Sequence, residues 1–323
     1  MGSLLGNKDI LKDFTDSDVD ILNGKNTSSN KGIYIFFSFD LVGSTKLKTK
    51  EPTCWPSVIF KFYELIYSEL NGKIPQVVVW KYLGDEVLLY VALDEIESDD
   101  IIYNIPDIVF NIQLKVSKDI KDVFDSANIS EILDIKSTLW IAGVKSIESK
   151  PFTNKELLKD DNTIYKNMKM SLTTGNLLLT DFLGPDMDIG FRISKFAYHH
   201  KVTISADFAY LLFRMKKPKK TKNIDDKLKI VSFEILKGVW DNKYYPIIWY
   251  YPNWKCVEKD FLYADHKEND IVDRVLSNRI SPINELERIY DELNITDRIE
   301  DFIERCVERN LSEEKRIISS QNS

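Results

Sequence analysis

Between Ile33 and Phe39 the chain reads Ile-Tyr-Ile-Phe-Phe-Ser-Phe, apolar on both sides of any pleat. Alternate side chains of a strand point to opposite faces, so such a segment must be covered on both. It belongs in the middle of a sheet. An acid, Asp40, follows at once, and then Leu41-Val42-Gly43-Ser44-Thr45. A carboxylate where a buried strand emerges can hold a divalent cation, and the N–H groups of a Gly-Ser-Thr turn can meet phosphate oxygens.

The remaining pattern alternates strands and helices. Residues 40–54 read as a polar loop. Trp55-Pro56-Ser57 opens a helix, with Val58, Ile59, Phe62, Leu65 and Ile66 at helical spacing. Val77–Lys81 and Val87–Val91 predict a hairpin turned at Gly84-Asp85. A helix is predicted over 106–126, a strand over Ser137–Val144, a polar insertion over 145–168 and a strand over 170–180. Asp188–Tyr198 reads as a helix, with His199-His200 capping its end. Lys201–Ser205 reads as a strand, Ala206–Met215 as a helix and Lys216–Lys222 as a solvated basic loop. Phe233–Leu236 and Ile247–Tyr251 predict a closing antiparallel pair, in which Tyr244-Tyr245 and Trp249-Tyr250-Tyr251 pack. Two amphipathic helices are expected further on, from Ser281-Pro282 and from Asp297, the second with a capping box to Glu300. Together these imply an α+β fold. The expected organisation is a flexible segment over 1–31, a catalytic domain over 32–252 and a small helical extension over 253–323.

Asp85 sits at the tip of the predicted hairpin. If that hairpin pairs with the first strand, Asp40 and Asp85 meet at one edge. Two carboxylates sharing two metals suit phosphoryl transfer, where one ion helps ionise the attacking hydroxyl and the other neutralises the leaving group. Taken singly, each acid is an ordinary turn residue.

The bulk chemistry narrows the partners. With 51 acidic and 44 basic residues the net charge is −7, which points to neither nucleic acid nor an anionic membrane. No apolar run approaches the ~20 residues that span a bilayer, and no signal peptide is evident. The three cysteines (Cys54, Cys256, Cys306) are widely spaced with no CxxC, which suits a reducing cytoplasm better than a disulfide framework or a zinc site. The three histidines form no ligand pattern.

Taken together, the motifs resemble those of the class III adenylate/guanylate cyclase catalytic domain. Phe39-Asp40-Leu41-Val42-Gly43-Ser44-Thr45 is similar to the element carrying that family's first metal aspartate. Lys81-Tyr82-Leu83-Gly84-Asp85 is similar to the element carrying the second, 45 positions on. Asp181, Asp188 and Arg192 keep the family's spacing of seven and then four positions, and Leu236-Lys237-Gly238-Val239 is similar to its late Lys-Gly element. The resemblance covers residues 32–252 and implies a ferredoxin-like, palm-type antiparallel sheet. It implies a homodimer with active sites between protomers, and two divalent cations (Mn²⁺ or Mg²⁺) held by Asp40, Asp85 and the Leu41 carbonyl. It also implies triphosphate contacts from Val42, Gly43, Ser44, Thr45 and Lys237, and charge stabilisation by Arg192. Asp188 departs from the family's Asn, so it either takes a catalytic part beside Arg192, its i+4 neighbour, or merely favours the helix N-terminus.

Lys81 and Asp181 match the base-reading pair. Asp accepts and Lys donates, which favours an exocyclic amine beside a ring acceptor, as in adenine and cytosine. The compact layout, with its insertion before Asp181 and helical extension, looks like the bacterial anti-phage pyrimidine cyclases of the Pycsar type, which make cCMP or cUMP. The resulting expectation is a cytoplasmic cytidylate cyclase acting on CTP, with UTP second and ATP third. The other readings are a catalytically inactive nucleotide-binding domain, a palm-type polymerase or diguanylate cyclase, and an interaction module in the C-terminal helices.

Overall fold

The computed structural model describes residues 30–124, 133–147, 165–174, 177–215, 224–254 and 281–293. The predicted Lys216–Lys222 loop, the helix from Asp297 and residues 148–164 of the predicted insertion lie outside these, as do residues 1–29, Cys256, His266 and Cys306. The fold is α+β: a mixed ten-stranded sheet with six helices among the described residues.

Strand β1 (Asn30–Val42) lies at the centre. Its odd-numbered side chains, Ile33, Ile35, Phe37, Phe39 and Leu41, enter one hydrophobic core. Phe36 enters a second core on the opposite face. The strand runs past Phe39 to Val42, and helix α1 (Ser44–Lys50) follows, so residues 40–54 are not the loop their polarity suggested. Gly43 makes that turn with φ 83°, a left-handed conformation that glycine adopts freely. Leu47, fully buried, anchors the short helix.

Helix α2 (Trp55–Asn71) starts with Pro56 in its first turn as expected. Strands β2 (Val78–Leu83) and β3 (Glu86–Ala92) form the predicted hairpin. Helix α3 (Asp99–Val123) begins before the expected residue 106 and carries Pro106 inside it. Ser98 caps it by accepting from the Ile101 N–H, and Ile102, Tyr103 and Ile105 are all buried. That burial holds the first turns in place although Pro106 cannot donate its bond. Strand β4 (Asp134–Ile147) then pairs with β1. The resulting order β4-β1-β3-β2, antiparallel throughout, is the ferredoxin-like βαββαβ arrangement, with α2 and α3 on the odd-numbered face of β1.

The free edge of β4 is shared by two elements, both parallel to it. Strand β7 (Val202–Ile204) takes Ser137–Leu139, and β5 (Asn167–Thr174) takes Val144–Ile147. The segment read as one strand over 170–180 is a hairpin of β5 with β6 (Leu177–Leu183). Helix α4 begins at Pro185, not Asp188, and ends at Ile193; a 3₁₀ turn covers Ser194–Phe196. With β6 it covers the second core, where Phe36, Trp80, Trp140, Phe182 and Met187 pack.

Helix α5 (Ala206–Arg214), β8 (Leu228–Ile235) and β9 (Tyr244–Tyr250) complete the main sheet. Tyr245, Trp249, Tyr250 and Tyr251 pack inside, whereas Tyr244 is exposed. Ser281-Pro282, expected to open a helix, instead forms β10 beside β8; helix α6 starts at Glu285 and runs to Leu293. Leu286 and Tyr290 join the main core, and the Tyr290 hydroxyl donates to Asp207 at 2.6 Å. Among the described residues no helix is long and apolar enough to cross a membrane.

Candidate active site

The register of β1 places Asp40 opposite Glu86 on β3 and opposite Lys136 on β4. Directly opposed residues share a face, so three charged side chains stand abreast. Lys136 Nζ lies 2.9 Å from Asp40 Oδ2. Ser38 Oγ donates to Glu86 Oε1 at 2.5 Å. The Glu86 carboxyl is pushed above its usual range: burial and the charges of Asp40 and Asp85 outweigh the Ser38 hydrogen bond and the Lys136 charge.

The tip of the β2–β3 hairpin is docked onto the end of β1. The Leu41 N–H donates to the Asp85 carbonyl at 3.1 Å. Ser44 Oγ donates to Asp85 Oδ2, and the Tyr63 hydroxyl donates to the Gly84 carbonyl. Asp40 and Asp85 thereby line one cavity of about 510 Å³ together with Leu41, Val42, Gly43, Ser44 and Thr45. The same cavity is lined by Lys46, Lys136, Ala197, Tyr198 and His199.

Lys136, Glu86 and His199 were missed in the sequence because no motif marks them; strand register sets Lys136 and Glu86 beside Asp40, and a loop return brings His199 to the cavity wall. His199-His200 does not act as a helix cap. His200 Nε2 lies 3.1 Å from Asp134 Oδ2, in an ion pair when protonated, with a backbone φ of 58°. Burial would raise the Asp134 carboxyl, but the hydrogen bond and charge of His200 and the Ile135 N–H carry it down to about 2. Burial holds the His199 imidazole down to about 4, so it is neutral near pH 7.

The other expected residues lie elsewhere in the fold. Lys81 Nζ lies 2.6 Å from Asp181 Oδ1, an oxygen that also accepts from Trp80 Nε1 at 3.0 Å and from the Phe182 N–H at 2.9 Å. Burial opposes ionisation of Asp181, yet these donors and the Lys81 charge hold its carboxyl below the usual range. Arg192, on α4, has a buried Nε without a hydrogen-bond partner. Asp188 is exposed on the same helix, and no ion pair joins it to Arg192. Lys237 is exposed beyond the end of β8. The registers through β4, β7 and β9 put Leu228 level with the Asp40 end of the sheet, so Lys237 lies at the opposite end. None of Lys81, Asp181, Asp188, Arg192 and Lys237 lines the Asp40–Asp85 cavity.

Among the described residues, no group of three or more His, Cys, Asp or Glu side chains stands ready to hold a metal. The cavity does offer hard oxygen donors, and an ammonium already stands against Asp40 as a stand-in cation. Two carboxylates suit an ion that keeps several waters and takes further oxygens from a substrate's phosphates, as Mg²⁺ does.

No family model and no curated protein matches the chain. Solved structures similar to it exist. The adenylyl cyclase CyaB from P. aeruginosa is 11% identical over 69% of this chain and 96% of that one, with a TM-score of 0.49. The guanylyl cyclase Cya2 is 11% identical over 69% and 93%, at 0.44. The guanylate cyclase domain of RhGC from Catenaria anguillulae, solved in complex with GTP, is 12% identical over 68% and 97%, at 0.41.

Proposed function

We propose that this protein is a class III nucleotide cyclase that closes a nucleoside triphosphate into its 3′,5′-cyclic monophosphate and releases pyrophosphate. The observation that carries the reading is the convergence of Asp40 and Asp85, from separate elements, on one cavity walled by Gly43-Ser44-Thr45. Asp40, Asp85 and the Leu41 carbonyl would hold two divalent cations. When bound, these would favour ionisation of the ribose 3′-hydroxyl and neutralise the departing pyrophosphate. The backbone of Val42–Thr45 borders the space the phosphates would fill. Lys136 would release Asp40 as a cation arrives and remain as a positive charge beside the phosphates.

The base-reading and charge-stabilising groups lie outside this cavity, so the reading requires a second copy. In a symmetric head-to-tail dimer each cavity meets Lys81, Asp181, Arg192 and Lys237 of the other protomer, giving two equivalent sites. Arg192 would neutralise charge developing on the α-phosphate. Exposed Asp188 would face the ribose, accepting a hydroxyl proton.

CTP is the preferred substrate in this reading, because Asp181 is an ionised acceptor and suits the cytosine amine; the pyrimidine reading ranks UTP second, and ATP, a purine that shares the amine, third. A cCMP-producing enzyme of this kind would serve as an alarm-signal generator in anti-phage defence. The test is incubation with each of the four nucleoside triphosphates and Mn²⁺ or Mg²⁺, with products identified by mass spectrometry. A cyclic product from ATP or GTP alone ends the pyrimidine assignment, and no cyclic product from any of the four ends the cyclase assignment.

A further inference from the structure

In a regular strand Trp80 and Lys81 would point to opposite faces of the sheet. Here the ladder between β2 and β3 shifts register: Val79 pairs with Leu89, and Lys81 pairs with Leu88, leaving Trp80 as an extra residue. Such a bulge bends the strand and re-aims its side chains. Its result is that both neighbours reach the same carboxylate oxygen, Lys81 at 2.6 Å and Trp80 at 3.0 Å. The Lys81 ammonium also sits 4.2 Å from the centre of the Trp80 ring. The indole therefore touches both members of the pair, through its N–H and through its face.

The indole is itself held. It packs edge-on against Phe36 at 5.6 Å and against Phe182 at 5.2 Å, and it meets Phe191 at 6.0 Å. Phe182 adds the third donor to Asp181 Oδ1 through its backbone N–H. Three N–H groups thus converge on one oxygen, which fills its lone-pair directions and fixes the plane of the carboxylate. Every hydrogen bond to this side chain from the described residues reaches Oδ1, which leaves Oδ2 as the atom to meet a ligand, on a side chain 46% exposed.

We propose that Trp80 is a specificity-determining positioning residue: through the β2 bulge it locks Asp181 and Lys81 into a fixed acceptor–donor pair that selects bases bearing an exocyclic amine at the position where uracil and guanine carry a carbonyl. This rests on the cyclase reading above and deepens it. A carboxylate free to rotate could turn away from a base carbonyl and tolerate uracil or guanine. A carboxylate held by three donors presents its open oxygen in one direction, where a carbonyl finds repulsion and an amine finds an acceptor.

The test is Trp80→Phe in the full chain, which keeps a ring under Lys81 and removes the N–H. The readout is kcat and KM for CTP against UTP, and for ATP against GTP, with Mn²⁺. The expected result is a fall of about tenfold in the amine-over-carbonyl ratio of kcat/KM, the size of one hydrogen bond, carried mainly by KM. Trp80→His, which retains a ring N–H, is expected to restore part of the ratio. If Trp80→Phe does not fold, Trp80→Met fills much of the space without a donor and carries the same expectation. An unchanged ratio in a folded donor-less variant overturns the proposal and leaves the cyclase reading standing, as does a native enzyme that prefers carbonyl-bearing bases. A native protein that cyclises no nucleotide removes both.

Discussion

Gly190 lies with its backbone against the indole of Trp140: a Cβ added there would stand 2.4 Å from the ring. Helix α4 can approach β4 this closely only because the residue at the contact has no side chain. The helix that carries Asp188 and Arg192 is thereby set at a fixed height above the sheet.

Gly190→Ala should therefore push α4 outward. We expect about 1–3 kcal/mol of destabilisation, the usual size of an overpacked core contact, read by thermal or urea unfolding. Turnover should fall further than stability alone explains, since Arg192 moves with the helix. Wild-type melting and wild-type kcat in this variant would show that the contact sets nothing.

Lys136 and a metal compete for the same carboxylate in the proposed site, given the 2.9 Å approach of its ammonium to Asp40. Mn²⁺ binding, followed by electron paramagnetic resonance or calorimetry, should weaken in Asp40→Ala and Asp85→Ala and strengthen in Lys136→Ala. The two Asp variants should lose turnover and keep the wild-type melting temperature, because both side chains line an open cavity, not the core. Near-normal turnover in either would refute the metal assignment.

Separate half-sites on one chain make a complementation experiment possible. Asp40→Ala and Arg192→Ala should each be inactive alone. Mixed in equal amounts and allowed to exchange, they should regain roughly a quarter of wild-type activity, since half of the dimers are mixed and each keeps one intact site. No recovery on mixing, with exchange verified, would place both residues in one chain's site.

Acid should destabilise the fold in two steps. The His199 imidazole is held at about 4 against an ordinary 6.5, so between those values the unfolded chain binds a proton that the folded chain refuses. Stability then rises with pH across that window, by at most about 3 kcal/mol. Asp134, held at about 2 against 3.8, adds a further loss as pH falls between those values. Urea midpoints measured from neutral pH down to 4 should fall, and His199→Gln should flatten the slope. Equal slopes in the two proteins would remove His199 as the cause.

The strand, turn and hairpin that frame the candidate site were legible in the sequence because their signals are local. The apolar run at Ile33–Phe39 could only be a central strand, and Asp40 at its end follows from chain order alone. The hairpin with Asp85 at its tip needed only two short strands and a Gly-Asp turn. Pro106 misled the reading of α3, because a local rule about proline was overridden by the burial of Ile102, Tyr103 and Ile105. The β5–β6 hairpin was read as one strand although Gly175-Asn176, a two-residue turn signal, stands between its arms in the sequence.

What the amino-acid order determined by itself was the set of elements and the carboxylates at their ends, since periodicity, turn residues and chain proximity act over a few positions. Only the tertiary structure decided which residues stand beside those acids. Lys136 faces Asp40 because β4 pairs with β1 in one register among several that the sequence permits. Trp80 joins Lys81 on Asp181 because a single extra residue in β2 turns its side chain to the same face. Both are consequences of pairing between distant segments, and one step of slip in either strand would send the side chains elsewhere.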